Sequence, residues 1–326
     1  MKWITKNFII DLLFIIFPGL FCFLVANQFS DNTNILFILI SIVLITDTSH
    51  IYSTFFRTIF SKKEFKRSKK LYIFLPIIIF LISLFLFIYL KINFFWSILI
   101  YASIFHQIRQ NVGISKWYSK VNNNQLNKKN IFLIYTLITL PPIIFHFRPF
   151  NEISHIFLYK PNDILINSND LIYQILLAIY LLLFLFFIVQ ECFLTFKNKG
   201  YTRFLFNLVL VTTQGLSFIK GSNIYEVLLP PLFLHGLSYM TVNYFAVNKI
   251  NQNLIFNFLK NKLIILLFPI IIGLLLFLFD EKIPEPSSGI MNSIIFSLYI
   301  LPIVCHHIWD AFIWKKSHPE SKDIYN

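Results

Sequence analysis

The chain has 326 residues, 57% hydrophobic and only 13% charged, with a mean hydropathy of +0.69. A soluble domain carries about 25% charged residues, so a single water-soluble core is excluded and a polytopic membrane protein is implied. The formal net charge of +13 does not point to nucleic acid, because the basic residues fall in short loops between apolar segments.

Ten apolar segments follow in chain order, at 8–26, 35–58, 71–90, 94–115, 131–147, 171–190, 204–219, 224–247, 263–279 and 290–314. Each has about the length that crosses a hydrocarbon core of ~30 Å at ~1.5 Å per residue. The expected fold is therefore an all-α integral membrane protein of about ten transmembrane helices, forming one polytopic domain over 1–326. The first segment lacks a small-residue cleavage site and reads as a retained helix. The seventh is the most polar, with Thr212, Thr213, Gln214 and Gly215.

Charge sets the orientation. With the N-terminus inside, 22 of the 28 Lys/Arg lie in the termini and the loops 61–70, 109–130, 191–203 and 248–262. Five lie outside, at Lys91, Arg148, Lys160, Lys220 and Lys282, and Arg57 lies within a span. The positive-inside rule then predicts cytoplasmic N- and C-termini and a multi-pass protein of the cell inner (plasma) membrane. Loop 148–170, which contains His155, is long enough for a short amphipathic piece. Cys22, Cys192 and Cys305 lie in or beside apolar segments and form neither a disulfide framework nor a Cys-based zinc motif.

Four spans carry buried polar chemistry. The second holds Asp47-Thr48-Ser49-His50 and Arg57. The fourth holds His106 with Arg109 and Gln110, and the eighth holds His235, Tyr239 and Asn243 at four-residue steps. The tenth holds His306, His307 and Asp310. All four run from outside to inside. Counted back from the first cytoplasmic lysine, His50, His106, His235 and His306 lie roughly 14–21 Å deep at ~1.5 Å per residue, so they share one layer. Ionisable residues at such depth are costly and point to function. Histidine and carboxylate at i, i+3 or i+4 can bind one ion from one helix, and both Asp47/His50 and His306/His307/Asp310 have that spacing.

The expected metal ligands are His50, His106, His235, His306, His307, Asp310 and Asp47. Gln110, Tyr239 and Asn243 are expected as hydrogen-bond partners of those ligands, and His307 is open to face away. Imidazoles with carboxylates and no thiolate suit iron, zinc or manganese. The expected cofactor is iron (Fe2+), with zinc and haem as open alternatives. The expected partners are membrane lipids and a long apolar small-molecule substrate; nucleic acid is not expected, and oligomeric state is undetermined. Arg57 and Arg109 lie near the cytoplasmic boundary, where snorkelling to headgroups and substrate binding are both open. Pro230-Pro231 is expected to kink the eighth span.

The His-bearing second span, Ser103-Ile104-Phe105-His106-Gln107, and Pro230-Pro231-Leu232-Phe233-Leu234-His235 running on to Asn243-Tyr244-Phe245 resemble the Brp/Blh-type membrane β-carotene dioxygenases. The similarity lies in order and spacing over about a quarter of the chain. It implies intramembrane histidines that hold iron, and oxidative cleavage of a carotenoid. The chain departs from that pattern where Asp47 precedes His50, where Arg109 follows His106, and in His306-His307-x-x-Asp310. The His-x-x-His-His boxes of membrane desaturases are absent. A haem-binding electron carrier and a proton-coupled transporter using the same residues are the competing readings.

Overall fold

The computed structural model describes residues 2–90, 95–122, 127–148, 164–165, 167–198, 200–250, 254–279, 282–283, 289–315 and 318. Most of the expected amphipathic piece, His155, Lys160, Lys91 and nearly all of 280–289 lie outside them. The described residues form helices and no strand; Ser61 and Leu254 make one isolated antiparallel bridge.

In chain order the helices are α1 (Phe8–Ile16), α2 (Pro18–Gln28), α3 (Thr33–Ser53), α4 (Lys62–Arg67), α5 (Lys69–Tyr89) and α6 (Phe95–Val121). They continue as α7 (Lys128–Phe147), α8 (Asp170–Lys197), α9 (Tyr201–Lys220), α10 (Ile224–Ile250), α11 (Lys262–Phe279) and α12 (Ile290–Ile313). The single expected first span is two helices bent by 55°: a π-helical turn over Leu12–Ile16 ends α1, and Pro18 opens α2. A proline at a first helical position loses no intrahelical bond, which explains why the new helix starts there. α10 runs through Pro230 and Pro231 as one helix.

Among the described residues, seven helices are long and apolar enough to cross a membrane, or eight if α1 and α2 count as one broken span. This makes the chain a multi-pass, all-α membrane protein. The weak seventh segment, now α9, is among them. The expected fourth and eighth spans are helices, α6 and α10, but fall outside that apolar set because the polar residues around the histidines interrupt them. On α8, Leu182, Leu185, Phe186, Val189 and Phe193 are all exposed, and Phe196 is 79% exposed. Apolar surface of that extent is untenable in water and is the surface that lipid covers.

The chain divides into two compact units. The first comprises Met1–Val43 and Trp96–Ser238. In it α7 packs on α8 and α9, and α2 packs on α9. Gly19 makes the approach of α2 possible: a Cβ there would meet Thr213 at 2.7 Å and Leu234 and the Pro230 carbonyl at 2.9 Å. Arg203 and Glu191 form a buried ion pair at 2.7 Å. Asp11 is fully buried and accepts from Ile4 N, Thr5 N, Thr5 Oγ1 and Tyr118 OH. Lys2, Asn122 and Thr202 are hydrogen-bonded to one another, so the N-terminus and residues of two predicted inside loops meet at one end. Arg148 donates to the Gly221 carbonyl and His146 binds the Leu165 carbonyl, which joins predicted outside segments.

The second unit comprises Leu44–Phe95 and Tyr239–Asn326. Here α5 packs along α12. A Cβ on Gly273 of α11 would collide with Ser49 Oγ and lie 2.7 Å from the Ile45 carbonyl, so glycine lets α11 touch the α3 backbone beside His50. After Ser53 the chain tightens into a 3-10 turn over Thr54–Arg57. Glu64 on α4 is buried and bound by Arg67 at 2.6 Å, Tyr72 OH at 2.8 Å and His318 at 2.9 Å. Burial alone would raise the Glu64 pKa; hydrogen bonds from His318 and Tyr72 and the charges of His318 and Arg67 outweigh it and hold it below the ordinary value.

A candidate metal centre of four histidines

Helical period places the site residues. His50 on α3 is followed one turn later by Thr54, and then by Arg57, both in the 3-10 turn that continues the helix. On α12, His306 is followed by Asp310 and then by Ile313 and Trp314; on α10, Tyr239 is followed by Asn243. Each step of three or four residues keeps the side chains on one face.

In the second unit, the His50 and His306 rings lie 4.7 Å apart edge to face. Tyr239 stands 5.7 Å from His50 and 5.4 Å from His306 by ring centroid. His50 Nδ1 is 3.3 Å from Asp47 Oδ1, and His306 Nδ1 is 2.7 Å from Thr54 Oγ1. A neutral imidazole that donates from Nδ1 keeps its lone pair on Nε2, so a His306 ring that donates to Thr54 is set to present Nε2 as a ligand.

One turn on, hydroxyls and a carboxylate form a chain. Thr54 Oγ1 is 2.7 Å from Tyr239 OH, and Tyr239 OH donates to Asp310 Oδ1 at 2.6 Å. Thr54 is also 3.4 Å from Asp310 Oδ1, and Trp314 Nε1 donates to Tyr239 OH at 3.3 Å. His306 Nδ1 lies 3.8 Å from Asp310 Oδ1, so the carboxylate acts on the ring chiefly through the two hydroxyls. This is a carboxylate–histidine pairing with a relay inserted, and such partners fix ring orientation and raise ligand basicity. Asn243 donates to the Ser53 carbonyl at 2.7 Å, where α3 gives way to the 3-10 turn.

In the first unit, the His106 and His235 rings lie 5.2 Å apart edge to face. Gln110, one turn after His106, donates to the His235 carbonyl at 3.0 Å.

One ligand nitrogen from each of His50, His106, His235 and His306 lies within 4.8 Å of the others. His50, His235 and His306 are buried and His106 is half-buried. These four could hold a metal ion. Asp47, Asp310 and His307 are outside the four-histidine group. Asp47 stands behind His50, Asp310 ends the hydroxyl chain, and His307 sits 5.7 Å from His306 with a half-exposed side chain. Gln110, Tyr239 and Asn243 occupy hydrogen-bonding positions around the histidine-bearing helices.

Thr54 and Trp314 were not singled out in the sequence. Thr54 carries a usable signal, since it follows His50 by one turn; Trp314 sits at the end of an apolar run and carries none. Arg57 does not snorkel. It is fully buried, stacks 3.8 Å over the Trp314 ring and donates from Nη2 to the Ile313 carbonyl at 2.9 Å. Arg109 is exposed and lies 5.8 Å over Phe105. Comparison with protein-family models, curated proteins and solved structures finds no match.

Proposed function

We propose that the chain is an integral membrane metalloenzyme in which His50, His106, His235 and His306 hold ferrous iron for oxidation of a long apolar substrate. The observation that carries this reading is the convergence of four imidazole nitrogens inside an apolar helical protein. All ten expected segments would then cross the inner membrane, with both termini cytoplasmic. Iron held by imidazoles with coordination positions open supplies O2 activation when bound.

The chain's own residues account for the rest. Thr54 holds His306 with Nε2 forward, Asp310 polarises that ring through Thr54 and Tyr239, and the Asp47 carboxylate stands 3.3 Å from His50 Nδ1. A centre at this depth among apolar helices suits a substrate arriving laterally from lipid. The resemblance to Brp/Blh-type dioxygenases supports a carotenoid; the lipid-facing surface supports any long apolar chain. Four imidazole nitrogens within 4.8 Å of one another favour a bare ion over haem.

The test is the metal content of the purified protein and of His106→Ala and His306→Ala. Iron should be lost in both variants while membrane insertion persists. Iron retained in both would place the metal elsewhere.

A further inference from the structure

Arg57 is a buried cation with more donors than partners. Its side chain is fully buried. Trp314 covers one face of the guanidinium and the Ile313 carbonyl takes one donor. Nε and Nη1 are buried and have no hydrogen-bond partner within the protein. No carboxylate of the described residues forms an ion pair with Arg57, because Asp310 is engaged by Tyr239 and Thr54 and acts on it only at longer range. Buried guanidinium donors are ordinarily satisfied, and a stacked guanidinium is already held in the plane that oxyanion binding requires.

Buried charge without a close counter-charge is strongly disfavoured, so an anion on the free Nε and Nη1 donors would complete the site; that the ligand's chain then meets a metal rests on the metal reading above.

We infer that Arg57 is an oxyanion site that takes the headgroup of an acyl-chain ligand, a carboxylate or a lipid phosphate, and so fixes which part of the chain meets the histidines. Arg57 follows His50 by seven residues, across the last turn of α3 and the 3-10 turn, about 12 Å along the axis. A long acyl chain spans that distance with length to spare. The ligand would be anchored by its polar end in the Arg57–Trp314 layer, past the Thr54–Tyr239–Asp310 layer, and would present mid-chain carbons to the metal centre. The substrate class narrows from any apolar lipid to a long-chain acid or its phospholipid ester.

The experiment uses full-length, iron-loaded protein in a non-ionic detergent, with ligand binding read by native mass spectrometry and iron measured on the same samples. The probes are oleate, oleyl alcohol, phosphatidylglycerol and inorganic phosphate. Oleate or phosphatidylglycerol should bind the wild type about 10- to 100-fold more tightly than oleyl alcohol, the range expected for charge-assisted hydrogen bonds. Arg57→Gln should remove that preference without lowering iron content. Arg57→Lys, which keeps the charge but loses the planar stack, should retain part of it and covers the case in which Arg57→Gln fails to fold. Preference for oleate assigns the site to a free acid, and preference for phosphatidylglycerol assigns it to a phospholipid. Equal affinity of the wild type and both variants for every anion overturns the inference, as does a preference for oleyl alcohol. Arg57-dependent binding in protein that takes up no iron would keep the anion site and remove the metal reading.

Discussion

Tyr239→Phe removes one oxygen from the hydroxyl chain and nothing from the ligand set. That oxygen donates to Asp310 at 2.6 Å, meets Thr54 at 2.7 Å and accepts from Trp314 at 3.3 Å. A hydrogen bond to a charged group contributes about 1.5–3 kcal/mol and a neutral one about 0.5–1.5 kcal/mol. Thr54, 3.4 Å from Asp310, can turn onto the carboxylate and recover part of the loss. A net effect of about 2 kcal/mol follows, which is about a 30-fold loss of metal affinity and falls within the 10- to 100-fold range for groups that orient metal-bound histidines. The assay is chelator competition for iron on detergent-purified protein, with size-exclusion profiles confirming the fold. Thr54→Val, which removes the acceptor for His306 Nδ1, should cost at least as much, and Thr54→Ser should restore most of it. The double variant should cost less than the two singles combined, because both break one chain. If Tyr239→Phe and Thr54→Val each bind iron within about twofold of the wild type, the hydroxyl chain does not serve the histidines.

Three further outcomes follow from the fold. Gly273→Ala forces a methyl against Ser49 and the Ile45 carbonyl and should destabilise by about 1–3 kcal/mol, read as a lower thermal midpoint with weakened iron binding through the displaced His50; an unchanged midpoint would mean that α11 does not hold α3. Arg203→Met strands Glu191 in the first unit and should cost about 3–5 kcal/mol, whereas Arg203→Met with Glu191→Leu should recover most of it; a double variant no better than the single contradicts the pairing. Glu64 has a depressed pKa, so its contribution is fully present above the ordinary carboxylate value of about 4.3 and is lost as pH falls through the lower folded value. Hydrogen-exchange protection at 62–72, taken relative to the intrinsic rate at each pH, should therefore be flat from neutral pH to about pH 4.5 and fall below that, and Glu64→Gln should abolish the step; a step near pH 6 would assign it to another group.

The layer of histidines was legible because depth can be measured along a helix. His50, His106, His235 and His306 each precede a lysine by a similar stretch, and lysine marks the bilayer boundary. The phase of each helix was less accessible. His306 and His307 are adjacent, and only packing against α5 and the second span shows that His306 points to the group. Asp47 and Asp310 have ligand spacing, yet the structure puts them behind imidazoles, since spacing along one helix does not say what the facing helix offers. Arg57 was readable as a charge near a boundary, but its burial depends on Trp314, 257 positions away in sequence. Span number was the least determinate: α6 and α10 carry the polar residues that make the site and are, for that reason, too polar to register among the apolar helices.

The most direct test of the central claim is metal analysis of the purified protein with an absorption spectrum on the same sample. One iron per chain without a Soret band, lost in His306→Ala, is the predicted result. A Soret band would make the protein a haem carrier, zinc would point to hydrolysis, and folded protein without metal after iron loading would contradict the four-histidine centre and leave a proton-coupled transporter as the better reading.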